Sequence, residues 1–260
     1  MENNNNQVDF GFKKVALEEK TNLVKQVFSN VASKYDLMND LMSLGLHRAW
    51  KSQMIKEINF SKQDNQADIS YNLIDVASGT GDISFKILRK SKAEAVNCKI
   101  DLVDINQDML EIGKQRAIDH NLFSDLNFTT ADGENLPFKD QQFDFYTIAF
   151  GIRNFTNIDK GLSEAYRVLK TGGKFICLEF SQVNDYFLQK IYDLYSFKLI
   201  PKIGEVILKD KESYQYLVES IRRFPRATEF ENMIKQAGFK NTSYKKLNFG
   251  VVAIHIGYKI

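Results

Sequence analysis

Between Tyr71 and Phe180 the chain alternates short β-forming runs with helical patterns, and this alternation narrows the fold more than any other feature. "YNLIDVA" leads into "DISFKILRKS", "CKIDLVDI" into "QDMLEIGKQRAIDHN", "LNFTTAD" into a loop, "FDFYTIAF" into "DKGLSEAYRVLK", and "TGGKFICLEF" ends the series. Repeated β runs separated by amphipathic helices fold as parallel strands joined by crossovers. The segment therefore predicts an α/β domain, a parallel sheet with helices on both faces. The tail is different: "TEFENMIKQAGF" reads as a helix, and "TSYKKLNFGVVAIHIGYKI" as two β runs around Asn248-Phe249-Gly250, a hairpin signal.

The flanks divide the rest. Residues 1–19, with their asparagine run, read as a disordered tail, and residues 20–60 as a helical arm broken at Gly45. "SKQDNQADIS" is a polar linker, 70–260 is the α/β domain, and 184–226 is an aromatic-rich insertion read as a substrate lid. A chain of 260 residues that is 43% hydrophobic suits one large domain with such additions. The net charge of +2 lacks the basic excess of a nucleic-acid binder. Cys98 and Cys177 lie far apart and fit a reducing compartment, and the three histidines show no zinc spacing. The N-terminus lacks the cationic start and apolar core of a secretory signal, and no apolar run is long enough to span a bilayer. The expected location is cytoplasmic, with room for contact at a membrane surface.

Three loops fall at the carboxyl ends of the first three β runs, where open α/β sheets bind ligands. The first, "DVASGTGD", offers Gly79 and Gly81, which let backbone approach a ligand, ahead of a helix N-terminus. The third glycine of a dinucleotide fingerprint would fall at Ser84, which argues against a nicotinamide nucleotide. The second run ends in Asp104, whose acceptor-only carboxylate suits two ribose hydroxyls. The third ends in Asp132-Gly133, an acid for an adenine amino group and a backbone N–H for its ring.

These loops in this order resemble those of class I S-adenosylmethionine-dependent methyltransferases. The segments "SKYDLMNDLMS", "FGIRN", "AYRVLKTGGKFICLEFS", "YLVESIRRFP" and "NFGVVAIHIGYK" bring the match closer. They resemble the ubiquinone/menaquinone biosynthesis C-methyltransferase family, from about Val27 to the C-terminus. The resemblance implies a Rossmann-like fold with a mostly parallel seven-stranded sheet, an antiparallel C-terminal hairpin, N-terminal helices and a helical insertion. It implies S-adenosyl-L-methionine held by Thr80, Asp104, Asp132 and Gly133 beside Gly79 and Gly81, and a polyprenylated quinol as methyl acceptor. It leaves room for a homodimer and for contact with other enzymes of quinone biosynthesis. The chain departs from the family at Ser78 and Ala149, where glycine and serine are frequent, and at Thr171, where proline is usual.

Arg153 and Asn154, just past the fourth β run, fit this chemistry. A sulfonium methyl needs an electron-rich carbon, which a quinol ring offers once a hydroxyl is deprotonated. Fixed donors aimed at the developing anion then lower the barrier. Arg153 suits that role because its pKa is too high for a base, and Asn154 would orient the hydroxyl. Pairing of Arg153 with a nearby acid is the alternative. Glu179, Tyr35 or water are the candidates for the proton acceptor, with a structural hydrogen-bonding role open for Glu179. His255 reads as structural and His47 as a surface or packing residue. A base-methylating enzyme would want a proline-rich loop where this chain has "FGIRNF", and a quinone carrier would not need Thr80, Asp104 and Asp132 together.

Overall fold

The computed structural model describes residues 7–31, 39–40, 43–60, 70–182 and 211–260. The elements in chain order are β1 (Gln7–Phe10), β2 (Lys13–Ala16), α1 (Leu17–Val31), α2 (His47–Lys56), β3 (Ser70–Val76), α3 (Asp82–Ala93), β4 (Asn97–Asp104), α4 (Gln107–Asp119), β5 (Leu126–Thr130), β6 (Phe143–Ala149), α5 (Ile158–Val168), β7 (Leu169–Phe180), α6 (Lys211–Arg223), α7 (Ala227–Gln236), β8 (Lys240–Leu247) and β9 (Val252–Tyr258).

Seven strands form one sheet in the order β5-β4-β3-β6-β7-β9-β8. The first five are parallel, whereas β9 runs antiparallel to both β7 and β8. The expected parallel sheet with a reversed C-terminal hairpin is what forms. Side chains alternate across it, as the strand period requires. Leu73, Ile100, Leu102, Ile176 and Leu178 face α2, α3, α4 and α6. Ile74, Val76, Val103, Tyr146, Ile148 and Phe175 face α5 and α7. Both faces are covered, which is why these strands read as continuous apolar runs. Phe175 and Phe230 are fully buried in the second layer, and truncating either to Ala would cost about 3–5 kcal/mol.

Residues 7–19, the described part of the expected tail over 1–19, are ordered as elements instead. β1 and β2 pair antiparallel, Gln7 opposite Ala16 and Phe10 opposite Lys13, and α1 begins at Leu17. A lone two-stranded hairpin is marginal, so sequence polarity alone argues against it. Here α6 supplies the missing support. Phe10 stacks on Tyr216 with ring centroids 4.2 Å apart, and the Phe12 N–H donates to Glu219 Oε2 at 2.9 Å. Gly11, at φ +59°, makes the turn, and a Cβ there would meet Glu219 Oε2 at 2.3 Å. Within the expected insertion, α6 and the chain up to Arg226 are described, and 184–210 lies outside the described residues. His47 is buried on the inner side of α2 with Trp50, Met54 and Ile55, which makes it a packing residue.

Candidate active site

The order of strands reverses between β3 and β6, and a cavity opens there at the carboxyl edge of the sheet. Its floor is built by the loops after β3, β4, β5 and β6. After β3 the backbone turns through positive φ at Ala77, Gly79 and Gly81. This delivers Ser78 N–H to Val103 O at 3.1 Å and Gly79 N–H to Asp104 Oδ2 at 2.8 Å. Asp104 Oδ1 accepts from Asn106 N–H, also at 2.8 Å. Burial pushes the Asp104 carboxyl up, and the N–H groups of Asn106, Gly79 and Ile105 pull against it. Each oxygen of a carboxylate can accept two bonds, so Asp104 is clamped in place with acceptor capacity left facing the cavity.

Asp132 and Gly133 line the same cavity beside Val76, Ile105, Met109 and Ala131, an apolar slot with acids at its ends. Asp132 Oδ1 accepts from Glu134 N–H at 2.9 Å, which fixes the loop. Gly133 has a steric reason to be glycine: a Cβ would stand 2.4 Å from the Phe155 ring and 2.9 Å from Val76 Cγ1. The loop can therefore lie flat against Phe155 and leave the slot open.

Thr80 departs from expectation. It is buried, it does not line the cavity, and its Oγ1 accepts from Arg116 Nη1 of α4 at 2.5 Å. The hydroxyl ties the loop to α4. Gly81 also lies outside the lining; it caps α3 in a left-handed conformation where a Cβ would meet the Phe85 ring at 2.9 Å. Gly79 alone of this trio faces the cavity.

Helix α1 forms the roof, through Thr21, Val24 and Phe28. A latch holds it down. Asn106 Oδ1 caps α4 by accepting from Asp108 and Met109 N–H, while its Nδ2 donates to Lys25 O at 3.3 Å and Ser29 Oγ at 2.9 Å. Ser29 Oγ in turn donates to Asp108 Oδ2 at 3.0 Å. Under this roof the cavity measures about 80 Å³. Nucleoside-sized ligands occupy pockets of roughly 300 Å³ or more, so the cavity has to widen to admit one.

Arg153 sits on a 3-10 turn after β6 and is far more buried than a loop cation should be. Its Nη1 donates to Phe150 O and to Glu179 Oε1, the latter at 2.9 Å. Its guanidinium lies over the Phe180 ring, 5.5 Å from the centroid. The side chains of Arg153 and Glu179 are 4% and 0% exposed, so this is a sealed ion pair. Glu179 also accepts from Phe180 N–H at 2.8 Å. Burial pushes its carboxyl up, and Arg153 opposes that shift. A carboxylate so enclosed and paired favours the structural hydrogen-bonding role over that of a base. Arg153 is paired with an acid, as the alternative reading has it. Its Nε nevertheless has no hydrogen-bond partner among the described residues, and the residue lines a second cleft of about 420 Å³ with Lys20 and Tyr216.

Asn154 joins the two spaces. It lines the first cavity, and its Oδ1 accepts from the Tyr216 hydroxyl of α6 at 3.0 Å. Phe155 and Thr156 wall both spaces. Tyr35 lies outside the described residues. The residues that the sequence did not single out are Asn106, Tyr216, Glu134 and the roof of α1. Of these, only the spacing of Thr21, Val24 and Phe28 on one helical face carried a readable signal.

A clamped acid at the end of β4, a flat Gly133 loop at the end of β5 and a slot at the strand-order reversal define a class I S-adenosylmethionine-dependent methyltransferase. Solved structures share the fold. One is a methyltransferase of Thermotoga maritima described as a possible histamine N-methyltransferase, with TM-score 0.60 and 20% identity over 90% of this chain and 99% of that one. Another is phosphoethanolamine N-methyltransferase 2 of Haemonchus contortus, solved with S-adenosyl-L-methionine, with TM-score 0.57 and 14% identity over 80% of this chain and 52% of that one. The chain belongs to the ubiE/COQ5 methyltransferase family, whose model matches residues 14–259. It is 55% identical to the ubiquinone/menaquinone biosynthesis C-methyltransferase UbiE of Rickettsia bellii (strain RML369-C), over 98% of this chain and 100% of that one. It is 54% identical to the protein of the same description from Rickettsia akari, over the same shares.

Proposed function

We propose that this chain methylates a ring carbon of a polyprenylated quinol, 2-methoxy-6-polyprenyl-1,4-benzoquinol or demethylmenaquinol, at the junction of its two clefts. The chain is an S-adenosylmethionine-dependent C-methyltransferase of ubiquinone and menaquinone biosynthesis, by its family and its full-length identity to relatives of that description. The observation that carries the site reading is Asp104, held by two backbone N–H groups with its acceptor capacity turned to the cavity.

S-adenosylmethionine supplies an electrophilic methyl group. Asp104 would hold its ribose hydroxyls, Asp132 and the backbone at Gly133 its adenine edge, and Val76, Ile105 and Met109 the faces of the base. On the acceptor side, the unpartnered Nε of Arg153 supports a role in binding a ring oxygen. A buried guanidinium N–H left unpaired costs about 1–3 kcal/mol, which a phenolate oxygen would return. Arg153 then stabilises charge at that oxygen, while Glu179 fixes the guanidinium. Asn154, oriented by Tyr216, presents its amide N–H groups where the clefts meet. The roof of α1, through Thr21, Val24 and Phe28, would shield the donor cavity. No helix among the described residues is long and apolar enough to cross a membrane.

The test is transfer of labelled methyl to a reduced quinol and to the same compound oxidised. Product is expected from the quinol only. Equal labelling of the oxidised quinone would overturn the phenolate reading.

A further inference from the structure

Two exposed turns carry large apolar residues in backbone conformations that disfavour them. In the turn before α2, Leu44 stands at φ +51° and is 74% exposed, with Leu46 also exposed. In the turn between β8 and β9, Asn248 and Phe249 have φ +46° and +58°, and Phe249 is 80% exposed. The Val251 N–H donates to Asn248 O, so Phe249 and Gly250, both at positive φ, are the central pair of a tight turn in which Asn-Gly is favoured. Phe in place of that asparagine is strained and gains no burial. The same holds for Leu44 ahead of Gly45. A strained, exposed, bulky apolar side chain has a reason to persist when something outside the chain covers it.

The two turns share one side of the molecule. Trp50 Nε1 donates to Asn248 Oδ1 at 2.6 Å, and Leu46 lies one helical turn before Trp50. That side is also the site's edge of the sheet, because Val252, at the start of β9, pairs with Phe180, the last residue of β7. An aromatic path leads inward from it. Trp50 packs against Phe150 and Phe180, at 6.3 and 6.2 Å between ring centroids, and these two pack on each other at 4.9 Å. Phe150 lines the donor cavity, and Phe180 lies under the Arg153 guanidinium.

We infer that the Leu44–Leu46 turn and the Asn248–Phe249 turn form a lipid-docking edge that inserts into a bilayer surface and sets the Trp50–Phe150–Phe180 path over the membrane. The inference rests on the acceptor being prenylated: such a tail stays in lipid, and a reactive ring can be reached only if the mouth of the site meets the interface. Lys245, exposed on the strand that enters the turn, gives the edge a cationic flank suited to headgroup phosphates.

The test uses Phe249→Asn, Leu44→Asn and the double variant in the full chain. Asn accepts positive φ, so each substitution relieves backbone strain and leaves the fold intact. Flotation with phosphatidylcholine/phosphatidylglycerol vesicles should show the parent partitioning to lipid and a loss of about tenfold for each substitution. Turnover of a short-tailed quinol in detergent should not change, and turnover of a long-tailed quinol in vesicles should fall with partitioning. A parent that does not float, or a double variant that floats equally well, overturns the inference. So does a double variant that loses self-association in sedimentation while keeping its lipid partitioning, because the edge would then join two copies. If the parent floats, the double variant does not, and neither methylates any quinol, the docking edge stands and the acceptor reading falls.

Discussion

Replacing Arg153 with Met separates its two jobs, and the structure sets the size of each. Met keeps an unbranched side chain of similar length but removes the cation. Glu179 is then left at 0% exposure with only backbone donors, Phe180 N–H at 2.8 Å and Arg153 N–H at 3.4 Å. Breaking a sealed pair by removing one partner costs about 3–5 kcal/mol, because an uncompensated buried charge remains. The variant should therefore unfold at clearly lower urea concentration than the parent. Folded Glu179 already titrates above its usual range, so the native state binds more protons than the unfolded chain and this group's contribution falls as pH rises. Loss of the cation strengthens that trend, and the deficit should shrink in acid. Arg153→Met/Glu179→Gln removes both charges and should recover most of the stability. If Arg153 also stabilises developing phenolate charge, kcat of the double variant should stay down by about 10²–10³, the loss typical of one such donor. Urea denaturation and labelled-methyl transfer on the two variants decide the matter. A double variant that regains stability and activity together would refute the catalytic role. A single variant as stable as the parent would refute the paired geometry.

Asp104→Ala should raise the Kd for S-adenosylmethionine by about tenfold to a hundredfold in calorimetry, since hydrogen bonds to a charged acceptor contribute about 1.5–3 kcal/mol; an unchanged Kd counts against the ribose assignment. Ser29→Ala removes one arm of the latch on α1. It should speed donor release several-fold in stopped-flow measurements, and it should cost about 1 kcal/mol or less in stability. Asp75 and His255 should pull the pH profile of stability in opposite directions. Burial pushes Asp75 up to about 6, so its contribution falls as pH rises from 4 to 6, whereas burial pushes His255 down to about 4, so its contribution grows between 4 and 6.5. Each amounts to about 3 kcal/mol, and Asp75→Asn should unmask the rise, which an unchanged pH profile would rule out.

The sheet was legible because its central strands β3, β6 and β7 are covered on both faces. Full coverage makes "LIDV", "FYTIA" and "KFICLEF" apolar along their length, and length then separates them from helices. Asp104 and Gly133 were legible for a related reason: strand ends on one edge of a parallel sheet have to converge. The hairpin of β1 and β2 was not legible, because its support is Tyr216 and Glu219, some two hundred positions along the chain. Thr80 illustrates a different limit. Its place in the glycine loop marks proximity to the ligand, but the direction of one hydroxyl depends on Arg116 reaching across from α4.

The acceptor side follows from what each half of the site is made of. Backbone N–H groups and strand ends build the proposed donor half, which is why the loop pattern points to it. The proposed acceptor half is assembled from side chains on the turn after β6 and on β7, α1 and α6, and the decisive fact is a pairing between positions 26 apart, Arg153 and Glu179. A cation after an apolar strand reads equally well as a ligand contact or as half of an ion pair, and here the pair does not exclude the contact. Glu179 takes one Nη group and the Phe180 ring takes one face of the guanidinium. Nε remains buried and without a partner among the described residues, while the residue lines a cleft that adjoins the donor cavity. Burial, which would make a lone Arg costly, makes this one rigid. A rigid donor serves best where charge develops, because it loses no reorganisation energy when the anion forms.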